Sequence, residues 1–244
     1  MGIDFSSSER SSLGIEWELE LVDLGTGELS SGSDQILAEL APAAGVEHPK
    51  AKHELLQSCV EVITDVCRTV GEARDDLAGT VAEVAAAAAR RGLGVMCSGT
   101  HPTTDWATQD ISDDERYREL VERNQWLARQ LQIFGVHVHV GVRAQEKVMP
   151  TVNALLSYVP HFLALSASSP YWIGSDTGLA SYRSKVFEAL PTAGLGGPGE
   201  QVAGRAIWSG RRNRGRCPRD RTAGPAGAAR PGRRPHADRT TPGL

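Results

Sequence analysis

From Ile15 to Leu21 the chain reads Ile-Glu-Trp-Glu-Leu-Glu-Leu, an unbroken alternation of apolar and acidic residues. A period of two is the repeat of an extended strand, and on a helix the same residues would scatter around the whole circumference. The segment is therefore predicted to be a half-buried strand, with Ile15, Trp17, Leu19 and Leu21 on one face and Glu16, Glu18 and Glu20 on the other. Alternate residues of a strand stand roughly 7 Å apart, so the Glu16 and Glu18 carboxylates leave the same face close enough to serve neighbouring cations. Taken alone, such a row is more commonly the solvated face of a charged edge strand. Asp23-Leu-Gly-Thr-Gly27 then supplies a turn.

Further along, 53–64 becomes rich in β-branched residues and is predicted as a second strand. Thr69 to Arg91 is Ala-rich with apolar residues at helical spacing and is closed by Gly92, which predicts a long helix. Leu93 to Cys97 is predicted as a short buried strand. Ser112-Asp-Asp-Glu115 has the form of a capping box, with Ser112 as N-cap of a helix running to about Leu131. Gly135-Val-His-Val-His-Val-Gly141 alternates again and places His137 and His139 on one strand face. A mostly apolar helix is expected from Gln145 to about Ser166, followed by a long loop of small and polar residues reaching Arg183. Strands mixed with helices of unequal length, several strands carrying a polar face, predict an α+β fold around an antiparallel or mixed sheet.

The chemistry sits in those polar faces. Glu54 and Glu61 lie seven apart, so in strict alternation they would point to opposite sides, and a shared role requires a bend or bulge between them. Imidazoles at the spacing of His137 and His139 can ligate a metal or meet a phosphate, although such a pair is more often structural. Arg183 could grip a carboxylate or serve equally as a surface ion-pair partner. What favours a site is convergence: carboxylates and imidazoles on three strands meet in one fold only if cations neutralise them.

Charge is divided unequally along the chain. Residues 1–199 hold 15 basic against 27 acidic residues, net −12, whereas residues 200–244 hold 11 arginines against 3 acids, net +8. The basic stretch has almost no large aliphatic residues and no period, so it is predicted to be disordered, as are residues 1–11. It contains no lysine and no recognisable nucleic-acid module, so nucleic acid is not an expected partner. Cys59, Cys67, Cys97 and Cys217 form no CxxC pair, which argues against structural zinc and for reduced thiols in a cytoplasm. The first residues contain acids and no apolar run, so a secretory signal is not expected. The apolar stretch 148–165 is interrupted by prolines and polar residues, so no membrane is expected either.

Four blocks, Leu13-Gly-Ile-Glu-Trp-Glu18, His53-Glu-Leu-Leu-Gln-Ser-Cys-Val-Glu61, Gly135-Val-His-Val-His-Val-Gly141 and Ser169 to Arg183, together resemble the carboxylate–amine ligase family, the bacterial glutamate–cysteine ligase type 2 group. The resemblance runs from about residue 12 to 198. It implies a curved, mainly antiparallel sheet of the glutamine-synthetase-like kind with flanking helices. It also implies ATP and Mg²⁺ as cofactors, and glutamate and an amine such as cysteine as substrates, joined through a glutamyl acyl phosphate. By position, Glu16, Glu18, Glu54, Glu61 and His137 match the family's metal ligands. His139 would face substrate or phosphate, and Arg183 resembles a residue that holds an anionic group. A homo-oligomer is compatible with all of this. Members of the family continue beyond Leu190 with a Trp-Asp-Ile-Arg-Pro-like and a Glu-Val-Arg-like block, and neither occurs here. The Arg/Pro/Gly-rich stretch from about residue 199 is expected to be an out-of-frame product attached to the N-terminal part of such a ligase. The rival expectation is an inactive remnant that at most binds Mg-nucleotide.

Overall fold

A computed structural model describes residues 5–8, 12–43 and 45–191. The Arg-rich stretch and most of the N-terminal segment, for which disorder is expected, lie outside the described residues. The first strand, β1 (Leu13–Asp23), is the organising element. It pairs antiparallel with β3 (Cys59–Ile63) along one side, and β3 pairs with β2 (Ala51–His53). The other side of β1 is shared end to end: β5 (Val136–Val140) takes residues 13–17 and β4 (Leu93–Met96) takes residues 20–23, both antiparallel. Every pairing in this five-stranded sheet is antiparallel, as the α+β reading expects.

The alternation in β1 divides the sheet into two unlike faces. Leu19 and Leu21, with Val60 and Val62 of β3, are fully buried against α1 (Ser33–Leu40) and α2 (Val70–Ala89), where Ile36 and Val84 meet them. Each such side chain withdrawn from water contributes about 1.5–3 kcal/mol, so this layer fixes the register. Shifting β1 by one residue would drive three glutamates into the apolar layer. α2 starts where Thr69 accepts the Glu72 N–H at 3.1 Å, and the chain leaves it through Gly92 at φ +72°, a conformation costly for any residue with a Cβ. A second cluster, containing Leu56, Cys59, Tyr117 and Phe134, packs where α3 (Glu115–Asn124) meets the loops.

Four sequence expectations are corrected. The predicted strand over 53–64 is two strands joined by a reversal, because 54–58 leaves the ladder and Lys52 and His53 pair back onto Glu61 and Val60. The N-cap of α3 is Asp114, whose carboxylate accepts the Arg116 N–H at 2.8 Å, whereas the buried Ser112 hydroxyl donates to the Glu54 carbonyl at 2.6 Å. The helix expected to reach Leu131 breaks at Gln125 (φ 48°) and resumes briefly as α4 (Trp126–Arg129). The apolar helix from Gln145 is also divided, into α5 (Val148–Leu156) and α6 (Val159–Leu165), bent by 64° with Pro160 in the first turn of α6. A proline fits a helix start and breaks an interior. No single helix among the described residues is long and apolar enough to cross a membrane. The loop toward Arg183 holds a small hairpin, β6 (Tyr171–Trp172) and β7 (Ser175–Asp176), and ends in α7 (Arg183–Glu188).

Candidate metal centre

The polar face of the sheet is assembled by register. Glu18 lies opposite Glu61, and Glu16 lies opposite Ile63 on one side and His137 on the other, so strands β1, β3 and β5 bring their polar side chains to one surface. The reversal after β2 adds Glu54. It turns the chain back between Glu54 and Glu61 and so provides the bend that a shared role demanded. Ser112 steadies that turn through the Glu54 carbonyl.

Two trios of donors result. Glu16, Glu61 and His137 offer ligand atoms within 4.8 Å of one another, and so do Glu18, Glu54 and Glu61. Glu61 belongs to both, and it is buried. Donors around one Mg²⁺ at 2.0–2.1 Å lie at most about 4.2 Å apart, so each trio needs to contract by less than an ångström to close on an ion. The all-oxygen trio fits a hard cation such as Mg²⁺, and the imidazole of the other widens its range toward softer divalent ions.

Electrostatics divides the carboxylates. A hydrogen bond with His137, at 3.1 Å between Nδ1 and Oε2, holds Glu16 down to a pKa of about 2 against the opposing effect of partial burial, and His139 Nε2 at 3.3 Å from the same oxygen adds to it. The same hydrogen bond raises the His137 pKa above its ordinary value. Burial, reinforced by the neighbouring charge of Glu54, pushes Glu18 up to about 7, although Glu18 Oε2 accepts the Gly135 N–H at 2.7 Å. Carboxylates crowded in this way repel one another until positive charge is supplied, which a divalent cation would do.

All of the predicted site residues are placed by this framework. Glu16, Glu18, Glu54, Glu61 and His137 converge in the two trios, while His139 reaches Glu16 and joins neither. Arg183, at the start of α7, donates from Nη1 to the Phe134 carbonyl at 2.5 Å, and its backbone N–H donates to Ser169 Oγ at 3.1 Å. Two features escape sequence reasoning. Gly135 is the point of closest approach: a Cβ there would stand 3.0 Å from Arg183 Nη1 and 3.8 Å from both Glu18 Oε2 and His137 Nε2. Glu20, read as an extension of the acidic row, is fully buried. Its Oε1 accepts from both the backbone and the hydroxyl of Ser98, each at 2.7 Å, Oε2 has no hydrogen-bond partner among the described residues, and burial raises its pKa to about 7.

The family model for glutamate–cysteine ligase family 2 (GCS2) matches residues 12–206. The chain belongs to this family. A relative from Frankia alni, provisionally named glutamate–cysteine ligase 2-1, is 64% identical over 196 residues, covering 80% of this chain and 51% of its own length. One from Thermobifida fusca, provisionally named glutamate–cysteine ligase 2, is 54% identical over 195 residues, covering 80% and 49%. The chain thus spans about half the length of the curated relatives it matches. Among solved structures, a bifunctional glutathione synthetase from Pasteurella multocida aligns with a TM-score of 0.50 at 14% identity, covering 66% of this chain and 24% of that one, a likeness of fold.

Proposed function

We propose that residues 12–198 carry the cation-binding part of an ATP-dependent carboxylate–amine ligase. In this reaction the side-chain carboxylate of glutamate takes the γ-phosphoryl group of ATP, giving a glutamyl acyl phosphate and ADP. An amine such as that of cysteine then displaces phosphate and forms the amide. The observation that carries the reading is the sharing of Glu61 between two donor trios. Phosphoryl transfer asks little covalent chemistry of a protein but requires cations against the phosphate oxygens and a positioned acceptor. Mg²⁺ would supply that neutralisation, with Glu18, Glu54 and Glu61 holding one ion and Glu16, Glu61 and His137 a second. His139 and the Arg183 guanidinium, beside the trios, would meet the anionic groups of nucleotide or glutamate. Free Cys59, Cys67 and Cys97 support a reducing, cytoplasmic setting.

The half-length of the chain relative to its relatives favours a second reading, a module that binds Mg-nucleotide without turnover. Both readings require divalent binding, so that is measured first, by Mn²⁺ electron paramagnetic resonance and calorimetry with Mg²⁺. ADP release in the presence of ATP, glutamate and cysteine then separates ligase from binding module. Divalent binding no stronger than that of Glu61→Gln would end both.

A further inference from the structure

Arg183 is fixed at both ends by one closed ring of hydrogen bonds. Its backbone N–H donates to Ser169 Oγ at 3.1 Å, and its Nη1 donates to the Phe134 carbonyl at 2.5 Å. Phe134 in turn donates its N–H to the Gly99 carbonyl at 3.1 Å, and the Gly99 N–H donates to the Ser168 carbonyl at 3.1 Å. The peptide bond from Ser168 to Ser169 closes the ring. Three stretches distant in sequence, around Gly99, Phe134 and Ser169, thus hold one side chain between them.

Ser169 is the densest point of that ring. It is buried, its backbone N–H donates to the Ala180 carbonyl at 3.2 Å, and its own carbonyl accepts the Tyr182 N–H at 2.9 Å. Those two bonds draw 180–182 alongside Ser169, and a residue with any side chain could make them. The hydroxyl alone reaches Arg183, where it accepts from a first-turn N–H of α7 that has no partner inside the helix. A larger side chain would not fit, because Gly99 lies against this point: a Cβ there would stand 3.1 Å from both Ser169 Cβ and Ser168 Oγ. The far end of the ring stands beside the cation donors, since the Cβ position of Gly135 is 3.0 Å from Arg183 Nη1 and 3.8 Å from Glu18 Oε2. Among the described residues the Phe134 carbonyl is the one hydrogen-bond acceptor of the guanidinium, so the rest of its planar donor fork is left for an anion.

We propose that Ser169 is a positioning residue: its hydroxyl orients the Arg183 guanidinium to receive a phosphate of Mg-nucleotide. It acts through Arg183 and not by contact with the ligand. A free arginine side chain surrenders rotamer freedom when an anion immobilises it, whereas one already held at both ends has surrendered part of that freedom beforehand, so positioning is read as affinity. The inference deepens the ligase reading and rests on Arg183 meeting the nucleotide there.

Two measurements on the full 244-residue chain test it. Nitrogen-15 NMR shows whether the guanidinium is held, because a held fork gives separate Nη signals and a free one averages them. Calorimetry reads the affinity for Mg-ATP. In Ser169→Ala the Arg183 Nη signals should average and Mg-ATP affinity should fall about fivefold, the effect of one hydrogen bond, while the number of Mn²⁺ ions bound is unchanged. Added to Arg183→Gln, Ser169→Ala should weaken binding no further, since residues that act as one unit are not additive. Gly99→Ala should do as Ser169→Ala does by displacing Ser168 and Ser169, and serves if that variant does not accumulate. Separate Arg183 signals that persist in Ser169→Ala, or a loss of affinity that adds to that of Arg183→Gln, would overturn the inference. Mg-ATP that is not bound, or is bound as tightly by Arg183→Gln as by the unaltered chain, would overturn the nucleotide role of Arg183 and this inference with it. That failure is told from the first because the Arg183 signals would still respond to Ser169→Ala.

Discussion

Gly135 donates its backbone N–H to the Glu18 carboxylate at 2.7 Å, and one residue earlier the Phe134 carbonyl accepts from Arg183. A single peptide segment thus holds an anionic ligand and a cationic side chain in fixed relation, and Gly135 leaves the space between them open. In Gly135→Ala the new Cβ meets Arg183 Nη1 at 3.0 Å, tighter than an ordinary contact, so the guanidinium must yield. Mg²⁺ affinity is expected to fall by less than threefold while Mg-nucleotide affinity falls by more than tenfold, both by calorimetry. Equal losses in the two would mean that Arg183 has no part in anion binding.

Because Glu61 belongs to both trios while Glu16 and Glu54 each belong to one, removing them should change the number of ions bound and not only the affinity. Glu61→Gln is expected to lose both sites. Glu16→Gln and Glu54→Gln should each keep one. Mn²⁺ titration followed by electron paramagnetic resonance counts the ions directly, and a Glu61→Gln protein that still binds two refutes the shared-ligand geometry.

The cation-free protein should become less stable as pH rises toward neutrality. Glu18 and Glu20 titrate near 7 when folded, against 4.5 as ordinary carboxyls. Between those values the folded state keeps protons that the unfolded state has released, so stability falls from about pH 4.5 to about pH 7 and is level above. Glu16 acts at the acid end with the opposite sign: its folded value of about 2 adds stability above pH 4.5 that is lost as pH falls toward 2. Thermal unfolding with chelator present should show the decline, and Glu20→Gln should flatten part of it. Mg²⁺ binding at about pH 6 should release protons, because Glu18 must ionise to act as a ligand. A melting temperature that climbs from pH 5 to pH 7 would contradict these shifts.

From the sequence α3 is expected to be capped by Ser112, whereas the structure caps it with Asp114. Asp114→Ala is expected to cost about 1 kcal/mol through loss of the cap. Ser112→Ala should cost as much or more, because it removes a hydroxyl that donates from a buried position to the Glu54 carbonyl, and it should also weaken the trio containing Glu54. If Ser112→Ala left divalent binding unchanged, the turn would not be holding Glu54 in place.

Legibility followed the reach of each interaction. The alternation of β1 and of β5 could be read directly, since a period of two is a local property, and with it which residues share the acidic face. The partnership of Glu54 with Glu61 could not, because it depends on a chain reversal that no glycine, proline, asparagine or aspartate within 53–64 marks. Ser112 misled for a related reason: a hydroxyl at a capping position was recruited by a carbonyl 58 residues away. Gly135 and Glu20 were silent as well. Close approach and full burial are made by neighbours distant in sequence, and neither alters the local pattern.

The hairpin before Arg183 offers a last test, in a segment that holds no donor of either trio. Trp172 pairs with Ser175, leaving a two-residue loop of Ile173 at φ 49° and Gly174 at φ 72°, the type I′ arrangement. Glycine occupies such a position freely, whereas a β-branched residue there is strained by about 1–2 kcal/mol. Asparagine tolerates it and is the preferred partner of a following glycine. Ile173→Asn is therefore expected to raise the urea midpoint, by a stabilisation of about 1 kcal/mol, with divalent binding unchanged because no donor of either trio lies in the hairpin. A lower midpoint would show that the exposed isoleucine side chain contributes more through its remaining contacts than its backbone costs.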